Sequence, residues 1–278
     1  MTVSQTTTEW NSFARANASQ KWRKQSALMG SDMTKAIVDA AQVSPGMSVL
    51  DLACGTGEPA ISLAMSLQGT GEVTGVDTAL ASLKIAEERA KQRALSNVKF
   101  QPADAHHLPL ADNSFDRITS RLGVMFFTDL PRALYEMRRV LKPKGTATLM
   151  AWGPMNQPYF QSTIGTLLRT LHGAILPESA RKMFAFGQPG VLAQAMRAAS
   201  FERVEEHFVM VPWTWPGQPE AVWEYFQDVA IPFAPLLQSV PPERRDDIDD
   251  AVVREIAKYY DGEKIKFTAT VNLTIAVK

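Results

Sequence analysis

A single cysteine, Cys54, stands among 278 residues. No internal disulfide can form, and a reducing, cytoplasmic setting is the expectation. An excess of either charge is also missing, since Lys+Arg and Asp+Glu both number 29. Dedicated nucleic-acid binders usually carry a basic surplus, so that class loses ground and no nucleic-acid partner is expected. No apolar run approaches the ~18 residues that a membrane-spanning helix needs, and the opening MTVSQTTTEWNS lacks the basic-then-apolar layout of a secretion signal. Only four histidines are present. Their spacing offers no metal-ligand set, so no metal is expected. What remains is an ordinary globular composition, 45% hydrophobic and 21% charged, long enough to bury a substantial core.

Along the chain, residues 1–44 read as an N-terminal helical cap with apolar positions at Trp10, Phe13, Trp22, Leu28, Met33, Ile37 and Val38. Ser44-Pro45-Gly46 then punctuates the chain. Residues 45–153 alternate strand and helix: VLDLA, EPAISLAMSL, EVTGVD, ALASLKIAEERAKQRA, VKFQ, Phe115 to Met125, Leu130 to Leu141, a turn at Lys142-Pro-Lys-Gly145, and TATLMAW. Such alternation implies a parallel sheet with helices on both faces. Residues 154–212 read as helices over 157–171 and 189–199 followed by a sixth strand from Phe201 to Val211. Residues 213–262, opening on the Pro- and Trp-rich VPWTWPGQP, read as a helical insertion. Residues 263–278 alternate apolar and polar positions, as a long final strand does.

The informative stretch is VLDLACGTGEPA, Val49 to Ala60. Glycines at 55 and 57 permit positive φ and let a ligand approach without meeting a Cβ. Because the turn opens a helix, free N–H groups and the positive dipole end face that ligand. Gly55-Thr-Gly-Glu-Pro-Ala60 matches G-x-G-x-x-A, and Asp77 follows Gly55 by 22 residues, the usual place for a carboxylate on ribose hydroxyls. A nicotinamide-dependent oxidoreductase therefore stays open. Asp51, four residues before Gly55, favours a ligand carrying positive charge, because nicotinamide folds want a small or apolar residue there.

At these residues the chain resembles the class I S-adenosylmethionine-dependent methyltransferases, in particular the branch of the ubiquinone/menaquinone-biosynthesis C-methyltransferases. VLDLACGTG is similar to the family's first motif, with Ala53 where many members have glycine. VTGVD resembles the second, PADAHHLPLADNSFD the third, RITSRLGVMFF the fourth strand, and LPRALYEMRRVLKPKGTATLMAW the helix, turn and fifth strand. The resemblance implies an α/β, Rossmann-like sheet of seven mostly parallel strands, the last antiparallel, with helical N-terminal and C-terminal cap insertions. The implied cofactor is S-adenosyl-L-methionine, with S-adenosyl-L-homocysteine as product. The resemblance also distributes roles. Asp51 stands near the methionine ammonium; Ala53, Gly55 and Gly57 line the methionyl and ribose part; Asp77 binds the ribose hydroxyls; Thr78 lies beside adenine. Asp104 accepts from the adenine amino group with the Ala105 N–H facing the ring, and Ser120 and Arg121 flank the methionyl end, through backbone oxygen. Asp104 as a turn cap and Arg121 as the partner of a surface acid are the alternatives. His106 and His107, beside Asp104, read as lip residues rather than bases.

Function is then expected to be methyl transfer by in-line displacement to a small, aromatic or apolar acceptor. A non-catalytic S-adenosylmethionine-binding protein is the remaining alternative. All six tryptophans lie outside the alternating motifs or at their end, and an aromatic-rich cap suits a flat apolar molecule. Trp10, Phe13, Met125, Trp152, Phe160 and Trp223 are the candidate pocket walls. No catalytic base is assigned, and oligomeric state leaves no mark on the sequence.

Overall fold

The computed structural model describes residues 17–18, 20–172 and 174–278. Its seven strands are β1 Ser48–Leu52, β2 Glu72–Asp77, β3 Val98–Pro102, β4 Phe115–Arg121, β5 Leu141–Trp152, β6 Glu202–Pro216 and β7 Lys264–Val277. They form one sheet in the order β3-β2-β1-β4-β5-β7-β6. The first five pair in parallel, and β7 runs antiparallel to both β5 and β6. Val49, Leu50 and Leu52 of β1 have no exposure, as befits a strand covered on both faces. The strand order reverses between β1 and its neighbours β2 and β4. A crevice forms outside the carboxyl ends of the strands at such a switch point.

Helices α1 Arg23–Met29 and α2 Ser31–Ala41 precede the sheet. Met33, Ile37 and Ala41 of α2 are buried at four-residue spacing, one stripe of a helix against the core. Helices α3 Ala60–Ser66, α4 Leu80–Gln92 and α5 Leu130–Val140 connect the parallel strands. The Asp129 carboxylate caps α5 by accepting the Arg132 N–H at 3.0 Å. Beyond β5 lie α6 Glu178–Met183, α7 Val191–Ala198, α8 Pro219–Val229, α9 Ala234–Gln238 and α10 Arg245–Ala257. Among the described residues, no helix is long and apolar enough to cross a membrane.

Four segments differ from the expected outline. β4 ends at Arg121 rather than Met125, because Leu122 adopts φ 59° and turns the chain into a 3-10 turn over Val124–Phe126. The turn expected at Lys142 to Gly145 lies within β5 as a bulge: Phe115 faces Leu141 whereas Arg117 faces Thr146, and Lys144 has φ 66°. The helix expected over 157–171 is divided into Pro158–Phe160, a π-helical Gln161–Gly165 and Thr166–Thr170. Strand β6 continues through Pro216, so position 213 falls inside a strand. Val211, Trp213 and Trp215 are buried between exposed or half-buried neighbours, and β6 is an edge strand, where Pro212 and Pro216 are tolerated.

Two polar clusters fix the periphery. Lys21 reaches Glu224 at 2.6 Å and Asp228 at 2.8 Å, while Trp22 Nε1 donates to Asp228 at 2.7 Å, tying the N-terminal segment to α8. The second centres on Glu136 of α5, whose side chain is 4% exposed. It accepts from Arg139 Nη2 at 2.8 Å, Arg132 Nη2 at 3.1 Å and the Leu108 N–H at 2.9 Å. Arg139 in turn donates to Leu108 O, Leu110 O and Asp112, so one ion pair shapes the loop after β3.

Hydrogen bonding from Arg139 holds the Glu136 carboxyl below its usual value of 4.5. A depressed carboxyl stabilises the fold above its unfolded pKa and loses that contribution as pH falls through the folded one. Glu136→Gln is therefore expected to cost about 3 kcal/mol at neutral pH, as removal of one member of a buried pair does. Urea titrations should find the stability gap closing between about pH 5 and about pH 2; a gap that is the same at both ends rejects this account.

Candidate active site

The chain leaves β1 through a turn with Ala53 at φ 55°, Gly55 at 52° and Gly57 at 103°. Ala53 occupies a region that costs an L-residue roughly 1–2 kcal/mol. Two carboxylates hold the turn in that shape. Asp77 accepts the Gly55 N–H with Oδ2 and the Ala79 N–H with Oδ1, each at 2.8 Å, linking β2 to the turn and to α4. Asp51, with no exposure, accepts the Ala60 N–H at 3.1 Å and the Thr119 hydroxyl at 2.8 Å. It thereby joins β1 to the first residue of α3 and to β4. Burial pushes its carboxyl up to about 7, against the opposing pull of Thr119, the Arg121 charge and the Ala60 N–H. Beneath the turn, Arg89 of α4 donates to Thr56 O at 2.5 Å and pairs with Glu58 at 3.0 Å.

The two glycines do different work. A Cβ on Gly55 would meet nothing within 4 Å and would project into open space. A Cβ on Gly57 would fall 2.7 Å from Ile61 Cδ1 and 3.1 Å from Ala86 Cβ. Gly55 leaves room for a ligand, and Gly57 lets α3 and α4 pack closely.

Over this turn opens a cavity of about 910 Å³. Of the residues expected at a cofactor, Ala53, Gly55, Asp77, Thr78, Asp104, Ala105 and Arg121 line it together. Of the expected acceptor walls, Met125, Trp152 and Phe160 line the same cavity. The polar half lies over β3, β2 and β1; the aromatic half lies over β5 and beneath the cap. Asp51, Gly57, Ser120 and Trp223 are not in the wall. Asp51 is behind the turn, and Ser120 is fully buried, its Oγ without a partner among the described residues. Trp223 faces α10, donating from Nε1 to Asp249 at 2.7 Å and stacking on Phe226. Trp10 and Phe13 lie outside the described residues.

At the rim, Asp104 Oδ1 accepts the His106 N–H at 2.9 Å and contacts His106 Nδ1 at 2.5 Å. His106 Nε2 accepts the Asp129 N–H at 3.1 Å, so Nδ1 carries the ring proton toward Asp104. With both nitrogens engaged, His106 is a brace and not a base. Burial pushes the Cys54 thiol well up, which keeps this cavity-lining sulfur protonated.

Several wall residues escaped the sequence reading. Tyr159, Met183 and Phe233 join the aromatic half, as does Trp213, which the sequence counts with the aromatic cap but does not single out as a wall. The Tyr159 ring lies 4.1 Å from Trp213 and 5.2 Å from Phe160 between centroids, and burial raises its phenol well above the ordinary value. Arg89 gave one usable signal: a cation among Leu83, Ala86 and Ala90 on the buried stripe of α4.

Ala53 and Gly123 form a matched pair across β1 and β4. A Cβ at Gly123 would lie 2.5 Å from Ala53 Cβ and 2.8 Å from Ser120 Oγ. Gly123→Ala is expected to destabilise by about 1–3 kcal/mol, the usual range for overpacking. Adding Ala53→Gly should restore part of that, since it removes both the colliding methyl and the strained φ. Strictly additive effects in a thermal double-mutant cycle would reject the pairing.

Residues 43–186 match the family described as Methyltransferase domain. A demethylmenaquinone methyltransferase of Geobacillus stearothermophilus is 34% identical over 198 residues, covering 66% of this chain and 79% of that protein. A 2-phytyl-1,4-naphthoquinone methyltransferase of a Nostoc species is 39% identical over 119 residues, covering 42% of this chain; the match spans about half (52%) of that relative's length. The fold is shared with a SAM-dependent methyltransferase from Aquifex aeolicus, at TM-score 0.54 and 19% identity over 70% of this chain and 92% of that one. It is shared likewise with a Haemonchus contortus phosphoethanolamine N-methyltransferase solved with S-adenosyl-L-methionine, at TM-score 0.58 and 17% identity over 98% of this chain and 58% of that one. With its switch-point cavity, glycine turn and seven-stranded sheet, the chain belongs to the Rossmann-like, class I methyltransferase family.

Proposed function

We propose that the chain transfers a methyl group from S-adenosylmethionine to a small, flat and largely apolar acceptor, of the naphthoquinone kind that its relatives' names indicate. The observation that carries this reading is the single cavity whose polar half suits a nucleoside and whose other half is aromatic. When bound, S-adenosylmethionine supplies a methyl group activated by a positively charged sulfur.

The roles of the chain's residues follow from their positions. Asp77, pinned by the Gly55 and Ala79 N–H groups, binds the ribose hydroxyls. Asp104, braced by His106, accepts from the adenine amino group, with Thr78 and Ala105 against the ring. The backbone of Ala53, Gly55 and Arg121 receives the methionyl end. Asp51 acts from behind the turn, its negative form favouring the ligand's positive charges. Met125, Trp152, Tyr159, Phe160 and Trp213 hold the acceptor and exclude water. Alignment of two reactants in a dry site supplies about 7–11 kcal/mol of barrier reduction, so no general base is required.

Two experiments test it. Asp77→Ala is expected to weaken S-adenosylhomocysteine binding by about tenfold or more, given ~1.5–3 kcal/mol for each hydrogen bond to a charged group. Calorimetry giving less than about a threefold change in a folded variant would remove Asp77 from the site. Incubation with trideuteromethyl-labelled donor and chemically reduced 1,4-naphthoquinones is expected to yield a labelled product by mass spectrometry. Donor binding without label transfer to these or to a metabolite extract would leave the non-catalytic reading in its place.

A further inference from the structure

The aromatic half of the cavity is not purely apolar. Among the described residues, Trp22 and Trp223 place their indole N–H on carboxylates. Trp215 Nε1 is one of four side-chain polar atoms sealed from solvent without a partner, beside Ser120 Oγ, Arg121 Nε and Thr148 Oγ1. Tyr159 Oη, Trp152 Nε1 and Trp213 Nε1 belong to neither group: they have no hydrogen-bond partner among the described residues and yet are not sealed. All three residues line the cavity, so the space onto which these donors open is its aromatic half. Tyr159 is the most confined of them, 4% exposed, with its ring edge-on to Trp213, Phe160 and Phe267. Its backbone carbonyl accepts the Thr163 hydroxyl at 2.8 Å, so backbone and ring are both held.

We infer that Tyr159 positions the acceptor by a hydrogen bond from Oη to an oxygen on its ring, with the Trp152 and Trp213 indoles as further donors. The chamber thereby selects an oxygen-bearing flat ring over a hydrocarbon of the same shape. This rests on the reading of the aromatic half as the acceptor chamber. A buried donor without a partner is costly, and an occupant that offers an acceptor atom removes that cost. A hydrocarbon leaves it in place, which is how a site built around a hydrogen bond rejects the analogue that lacks it. The chemistry of this wall is one-sided: an indole only donates, whereas a phenol donates or accepts. The oxygen it suits is one with free lone pairs, a carbonyl or a phenolic oxygen. An ammonium or amide N–H finds at most one acceptor among the three.

Calorimetry on the full chain with S-adenosylhomocysteine present compares 1-naphthol with naphthalene, two rings that differ by one hydroxyl. The wild-type chain is expected to favour 1-naphthol, and Tyr159→Phe should reduce that preference about three- to tenfold, as one neutral hydrogen bond warrants. The variant's thermal midpoint should stay within about 2 °C of wild type, because Oη has no partner in the fold. A preference unchanged in Tyr159→Phe, or no preference in the wild-type chain, overturns the assignment. A clear drop in the thermal midpoint does so too, since it shows Oη bonded within the fold. Binding of neither ring overturns the acceptor chamber itself. The readout is binding, so a chain that binds as expected and transfers no methyl group loses its catalytic reading while Tyr159 keeps its role.

Discussion

Everything at the site depends on a carboxylate that water never reaches. Asp51 joins β1, the first residue of α3 and Thr119 of β4 through two hydrogen bonds. A buried carboxylate is costly unless it is hydrogen-bonded, so these three elements are obliged to meet at it, and the turn between them has one shape. The cost is visible in the carboxyl raised to about 7 by burial. Between the ordinary aspartate range and that value the folded chain holds a proton that the unfolded chain does not, and Asp51 contributes less to stability as pH rises. Backbone strain sits on the same turn, at Ala53 and, across from it, at Leu122. Cost concentrated in this way marks a place where geometry serves binding rather than stability.

The cap is attached by contacts that use tryptophan in two distinct ways. Trp22 and Trp223 each place an indole N–H on a carboxylate, Asp228 and Asp249 respectively, and Trp22 meets Trp215 and Tyr225 at 5.6 and 5.8 Å between centroids. These indoles join α8 to the N-terminal segment and to α10. Trp152 and Trp213, 5.2 Å apart, belong to the cavity wall instead. Both uses follow from a large apolar ring with one polar handle: with a carboxylate in reach the residue becomes a fastener, and on a strand that faces the crevice it becomes a wall.

The alternating half of the chain was legible because each parallel strand is a continuous apolar run and each helix a stripe, and because a glycine turn with an acid on the next strand has few physical explanations. Gly55 and Asp77 are singled out by their spacing and Asp104 by the family resemblance, and the structure brings all three to one cavity wall. Asp51 reads as standing near the methionine ammonium and Gly57 as lining the ligand; in the structure Asp51 lies behind the turn, bonded to Ala60 and Thr119, and Gly57 lies against Ile61 and Ala86. Local sequence does not tell which side of a turn a side chain takes. The bulge at Lys144 and the early end of β4 at Arg121 were hidden for the same reason, since a left-handed φ on lysine or leucine has no compositional signature. The aromatic half was legible only as an inventory. Trp223 and Tyr159 are both aromatics that follow β5 in the chain, and only the packing of α8 against α10 and of Tyr159 against Trp213 separates fastener from wall.

This division bears on specificity. The cavity's polar half is built on the β1 turn, β2 and the loop after β3, all of which must keep their shape for any acceptor. The aromatic floor at Met125, Trp152, Tyr159 and Phe160 is still tied to that sheet. Its cover is not: Trp213 lies on the edge strand β6, Tyr225 and Phe226 on α8, and Phe233 on a 3-10 turn over Ile231–Phe233. These elements contribute no strand or turn to the polar half, so their side chains are free to vary without disturbing Asp51, Asp77 or Asp104. On the proposed function, donor recognition is therefore a property of the sheet, and acceptor choice is set by a cover spanning residues 213–233 that is anchored to the N-terminal segment by Trp22 and Lys21.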